Sequence, residues 1–94
     1  MAETKKKRPS LEKPKRIAVS RLVSGRQYDR LEWDAAASPG AVGTFLEQIA
    51  SALTEEGEFY VPGDLNRAFG GAVRVVFGNP VREEDGYFVY KRRS

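Results

Sequence analysis

Glu58-Phe59-Tyr60-Val61-Pro62-Gly63-Asp64-Leu65-Asn66-Arg67-Ala68-Phe69-Gly70-Gly71-Ala72-Val73-Arg74-Val75-Val76-Phe77 is the stretch on which the fold turns, because a strand, a short helix and the first strand of a second hairpin are read from it in succession. Glu58–Val61 reads as a short strand stopped by Pro62-Gly63, and Asp64 is placed to cap a short helix over Leu65–Phe69. Gly70-Gly71 then reads as a break. The β-branched and aromatic run Ala72–Phe77 predicts a strand after it, and Tyr87–Tyr90 predicts that strand's hairpin partner. Gly78-Asn79-Pro80 and Glu83-Glu84-Asp85-Gly86 between them are turn chemistry, with Val81-Arg82 continuing a strand past a proline bulge.

Upstream, Val42, Phe45, Leu46, Ile49, Ala52 and Leu53 recur at three- and four-residue spacing, which predicts an amphipathic helix of about four turns. Ser38-Pro39 suits its start and Gly57 its end. Earlier still, Ile17–Val23 and Tyr28–Asp34 alternate apolar and polar residues on either side of Ser24-Gly25-Arg26-Gln27, which predicts a β-hairpin. The order is ββαβ(short α)ββ. It describes an α+β domain in which a mainly antiparallel sheet of about four to five strands packs on one long helix.

Charge divides the chain differently. Residues 1–16 hold seven basic and two acidic side chains, a net of +5, with one large aliphatic, Leu11. Such a segment cannot bury enough apolar surface to offset its ordering entropy, and a disordered basic tail is expected. Residues 17–90 hold six basic and eleven acidic side chains, a net of −5, and form the single domain; residues 91–94 are a short basic end. The overall +3 thus conceals an acidic body between cationic ends.

Composition removes several classes of chemistry. The chain has no Cys and no His, so disulfides, thiolate or imidazole metal ligands and the usual nucleophile–base pairs are excluded. The acidic groups Glu55-Glu56-Glu58 and Glu83-Glu84-Asp85 lack the alternating oxygen ligands of a calcium loop, and the glycines make no nucleotide-binding fingerprint. Neither an enzyme nor a cofactor or metal is expected. No apolar run approaches the ~20 residues that span a bilayer, so no membrane association is expected and a cytoplasmic location is the default.

A cationic arm is attracted to phosphate or to an acidic surface whatever fold carries it. The expected function is non-enzymatic association with DNA or RNA. Lys5, Lys6, Lys7, Arg8, Lys13, Lys15 and Arg16 at one end and Lys91, Arg92 and Arg93 at the other would contact phosphates. An open sheet face showing Arg74 with Tyr87 or Tyr90 would stack bases. A protein–protein adaptor or inhibitor, phage-type or regulatory, whose tail grips an acidic partner surface is the competing expectation, and a homodimer sealed at Trp33 and the Tyr87–Tyr90 strand is a third.

Overall fold

The computed structural model describes residues 15–23, 25–34 and 40–92. Lys5, Lys6, Lys7, Arg8, Lys13, Arg93 and the predicted helix-start pair Ser38-Pro39 lie outside the described residues. The elements in chain order are β1 (Ile17–Ala18), a 3-10 turn (Val19–Arg21), β2 (Tyr28–Glu32), α1 (Val42–Ala52), β3 (Leu53–Pro62), α2 (Gly63–Phe77), β4 (Arg82–Glu84) and β5 (Tyr87–Lys91). The five strands of the described residues form one sheet in the order β1-β2-β3-β5-β4, and α1 and α2 pack on one side of it.

The architecture is α+β, but the sheet is mixed. β1 pairs parallel with β2 and β2 parallel with β3, whereas β3–β5 and β4–β5 are antiparallel. The predicted first hairpin is therefore absent. Ser20 donates from its backbone N–H (3.1 Å) and its hydroxyl (2.6 Å) to Asp34, which fixes the chain leaving β1 beside the end of β2. β1 then pairs with the far end of β2, Ile17 beside Leu31 and Ala18 beside Glu32, so the two strands point the same way. Alternation reports which side chains share a face and carries no information about strand direction.

The second correction concerns Ala72–Phe77, which is the C-terminal part of the 15-residue α2 and not a strand. Leu65, Phe69, Ala72, Val73, Val76 and Phe77 fall on one helical face, with Val73 and Phe77 buried and the others packed against the core. Each glycine costs a helix interior about 1 kcal/mol, yet burial of that face outweighs the cost. Gly70 is itself buried: a Cβ there would lie 3.3 Å from Asn66 Oδ1, so the missing side chain makes room for Asn66 one turn earlier. The helix stops at Gly78, whose positive φ of 85° favours glycine and whose N–H donates to the Arg74 carbonyl at 2.8 Å.

α1 is shorter than expected, 11 residues from Val42, and runs directly into β3 at Leu53 without reaching Gly57. Its stripe behaves as read, with Leu46, Ile49 and Ala52 buried and Phe45 half-buried. Asp85 (φ 52°) and Gly86 (φ 84°) make the two-residue turn between β4 and β5, the conformation whose twist suits a hairpin. Trp33 ties the layers together, its ring centroid 5.2 Å from Phe45 of α1 and 5.2 Å from Phe69 of α2. Among the described residues no helix is long and apolar enough to cross a membrane.

Candidate binding surface

Strand pairing divides the sheet residues cleanly. Leu31, Phe59 and Tyr90 stand in register and face the helices, while the next rows, Arg30–Glu58–Lys91 and Glu32–Tyr60–Val89–Arg82, face outward, as do Tyr87 and Glu84. Among the described residues no helix covers that outer face. Its centre is a polar network built on Glu58 and Tyr60.

Arg82 donates to both oxygens of Glu58, at 2.9 and 3.0 Å, and from its Nε to Glu84 at 2.8 Å. The Tyr60 hydroxyl donates to Glu58 at 3.0 Å and accepts from Arg82 at 3.1 Å and from Arg30. Arg30 also pairs with Glu58 at 3.7 Å. The Arg82 hydrogen bonds hold the Glu58 carboxyl below the usual carboxylate range; partial desolvation opposes this, and the Tyr60 hydroxyl and Arg30 reinforce it. Burial, followed by the hydrogen bond to Glu58 and then its charge, pushes the Tyr60 hydroxyl up.

A second cluster adjoins the first. Arg16, entering just before β1, lays its guanidinium 4.8 Å from the Tyr60 ring centroid and 4.7 Å from that of Tyr87. Its Nε lies 3.5 Å from the Glu32 carboxylate, which accepts a 2.9 Å hydrogen bond from the Tyr87 hydroxyl. That bond is the main reason the Tyr87 hydroxyl is pushed up. Arg16, Arg30 and Arg82 thus meet Glu32, Glu58 and Glu84 on one surface, and Tyr60 beneath them is fully buried.

The residues singled out in the sequence separate on this framework. Tyr87 and Arg16 come together on the outer face. Tyr90 is on the opposite face, fully buried, with its ring 6.3 Å from Phe77 and its hydroxyl donating to Asn66 Oδ1 at 2.5 Å. Arg74 is exposed on α2, in the helical layer, so it does not share a surface with Tyr87. Lys15 is exposed beside Arg16. Lys91 pairs with Glu56 at 3.0 Å, and Arg92 is tied to the start of β3 through the carbonyls of Leu53 and Gly57. Trp33 is fully buried in the core and offers no seam on the surface of this chain.

Arg30, Glu32, Glu58, Tyr60 and Arg82 are the functional candidates that sequence reasoning missed. Their shared parity with Tyr87 was available once the register was known, but the register was not. On the other side of the molecule, Val19, Leu22, Val23 and Arg26 face Phe45, Gln48 and Ile49 of α1 across a groove of about 950 Å³. Among the described residues no group of acidic side chains is arranged to hold a metal ion. No protein family matches the chain, and neither the curated proteins nor the solved structures include a significant match.

Proposed function

We propose that this chain is a non-enzymatic nucleic-acid-associated protein that contacts phosphates with its basic N-terminal segment, above all Lys5–Arg8, Lys13 and Lys15. The observation carrying this reading is the segregation of charge, +5 in residues 1–16 against −5 in residues 17–90. The outer sheet face has a different part. Its arginines are already matched by carboxylates, so a phosphate there would have to displace Glu58 from Arg82 and Arg30, and Tyr60 lies under them. Base stacking on the sheet is accordingly left out of the proposal, and Arg74, Tyr90, Lys91 and Arg92 with it.

Binding of a single-stranded oligonucleotide, followed at a series of salt concentrations, tests the reading. Each phosphate contact contributes roughly 0.7 to the slope of log K against log salt for single strands, so replacing Lys5, Lys6, Lys7 and Arg8 by Ala should lower the slope by up to about 3. Absence of binding to single- or double-stranded DNA or RNA at low salt would move the weight to a protein partner with an acidic surface. That second reading is favoured by the charge-matched outer face, which resembles a protein–protein surface more than a polyanion track.

A further inference from the structure

We infer that Tyr60, Tyr87 and Glu32 form an arginine-recognition socket on the outer sheet face, filled by Arg16 in the free chain and open to an arginine side chain of a protein partner that takes its place. The occupant is read from the structure itself. The two rings, 6.2 Å apart between centroids and inclined at 74°, make a corner that touches one guanidinium on two sides. Glu32 closes the third side at 3.5 Å. A planar, weakly hydrated cation stacks on aromatic faces and retains N–H groups in its plane for a carboxylate, a combination a lysine ammonium does not reproduce.

The walls do not depend on the occupant for their orientation. The Tyr87 hydroxyl is anchored on Glu32, and the Tyr60 hydroxyl is held by Glu58, Arg82 and Arg30. A pre-oriented site binds without the cost of ordering its own side chains. Arg16, by contrast, is replaceable: its side chain remains 32% exposed, and it precedes the first paired strand residue, Ile17, so its withdrawal removes no sheet pairing. Tyr60 has no accessible surface while Arg16 and Arg30 lie against it, and departure of Arg16 uncovers the ring. Residues 15 and 16 adjoin the basic tail, so a ligand that pulls the tail away also vacates the socket. The inference goes beyond the polyanion reading and is tested without nucleic acid.

The experiment uses the full chain, wild type and Arg16→Ala, titrated with N-acetyl-arginine amide and, in parallel, N-acetyl-lysine amide, with the Tyr60 and Tyr87 ring signals followed by NMR. A tethered side chain competes at an effective concentration on the order of millimolar, so the wild type should need about fivefold or more arginine probe than Arg16→Ala for the same shift. Arginine should act at about tenfold lower concentration than lysine, reflecting guanidinium stacking, and adding Tyr87→Ala to Arg16→Ala should abolish the saturable response. Unchanged ring signals in Arg16→Ala, or equal responses to the two probes, would overturn the inference. Should Arg16→Ala lose its dispersed core signals, the wild type decides alone: excess arginine probe must move the Arg16 Nε–H resonance toward its solvent-exposed position, and a fixed resonance refutes exchange.

Discussion

Tyr60 and Tyr90 lie on adjacent strands, are both fully buried, and live in opposite worlds. Tyr90 points into the helical layer, among Phe77, Phe59 and Val73, where a single neutral acceptor, Asn66, takes its hydroxyl. Tyr60 points outward, into a ring of Arg30, Arg82 and Glu58 with Arg16 over its face. One side of the sheet is closed by apolar contact, which has no paired charges for salt to screen or acid to titrate. The other is closed by matched charge, which is sensitive to both. Burial alone therefore does not separate the core face from the outer face of this sheet; the parity of a residue along its strand does.

The contrast is tested most severely on the apolar side. Phe59→Ala should destabilise by about 3–5 kcal/mol and Leu46→Ala by about 2–5 kcal/mol, since each opens a cavity beneath a fully buried cluster. Chemical denaturation measures both. The difference between each variant and the wild type should be the same at low and high salt, and a strong salt dependence would break the division between the faces.

Glu58→Gln comes next, at about 1–3 kcal/mol, because Arg82 and Arg30 then lose a shared carboxylate in a half-shielded position. Here the gap should narrow in high salt. Its pH dependence has a defined sign. The folded pKa of Glu58 is depressed, so its contribution is complete above the unfolded carboxylate range, near ~4.3, and is lost as pH falls through the lower folded value. Thermal melts from neutral pH down to acid should show the two proteins converging only in that acidic window; a gap that persists below it would assign the loss to packing.

A finer comparison removes only hydroxyls. Tyr90→Phe should cost about 1–2 kcal/mol by leaving the partly buried Asn66 without its donor, whereas Tyr87→Phe should cost about 0.5 kcal/mol at a half-exposed position. Equal losses would mean that the two faces treat a hydroxyl alike. Burial raises the folded pKa of Tyr90, so the stabilisation from keeping it neutral is present below the unfolded value near ~10 and is lost as pH rises through the folded one. Alkaline unfolding of the wild type should accordingly begin earlier than that of Tyr90→Phe relative to their neutral-pH stabilities.

The smallest expected effect lies within α2. Gly71 faces open space, so Gly71→Ala should stabilise by about 0.5–1 kcal/mol through helix propensity. Gly70→Ala should fall short of it, because its Cβ meets Asn66 and disturbs the Asn66–Tyr90 bond that anchors the dry face. If the two substitutions have the same effect, Gly70 is not a packing position.

The apolar half of the molecule was far more legible in the sequence than the polar half. The stripe of Leu46, Ile49 and Ala52 announced a helix, Phe59 and Tyr90 announced strands, and Glu83-Glu84-Asp85-Gly86 announced a turn, of which Asp85-Gly86 form the hairpin connection. Ala72–Phe77 misled because its valines favour a strand locally, while Val73 and Phe77 also satisfy helical spacing with Leu65 and Phe69. Burial of that shared face carries one continuous helix through both halves, with Asn66 lying beside Gly70. Tyr87 was legible as an aromatic strand residue, but not whether it or Tyr90 faced outward; that Arg16 would reach it was not legible either, since the two are far apart in the chain and joined only through the pairing of β1, β2, β3 and β5.

What the sequence by itself determined is what depends on near neighbours: an α+β mixture of elements, the core face of α1, the β4–β5 turn, and a cationic end joined to an acidic body. Periodicity, turn conformation and net charge are local or additive properties, so they survive without knowledge of contacts. Tertiary structure decided that β1 and β2 run parallel, that α2 continues through Gly70-Gly71, and that Arg16, Tyr60, Tyr87 and Glu32 meet. Each of these depends on which strand edges join and which residues stand in register. A shift of one position would carry Tyr60 to the dry face and Tyr90 to the charged one, and no local pattern in the chain records that choice.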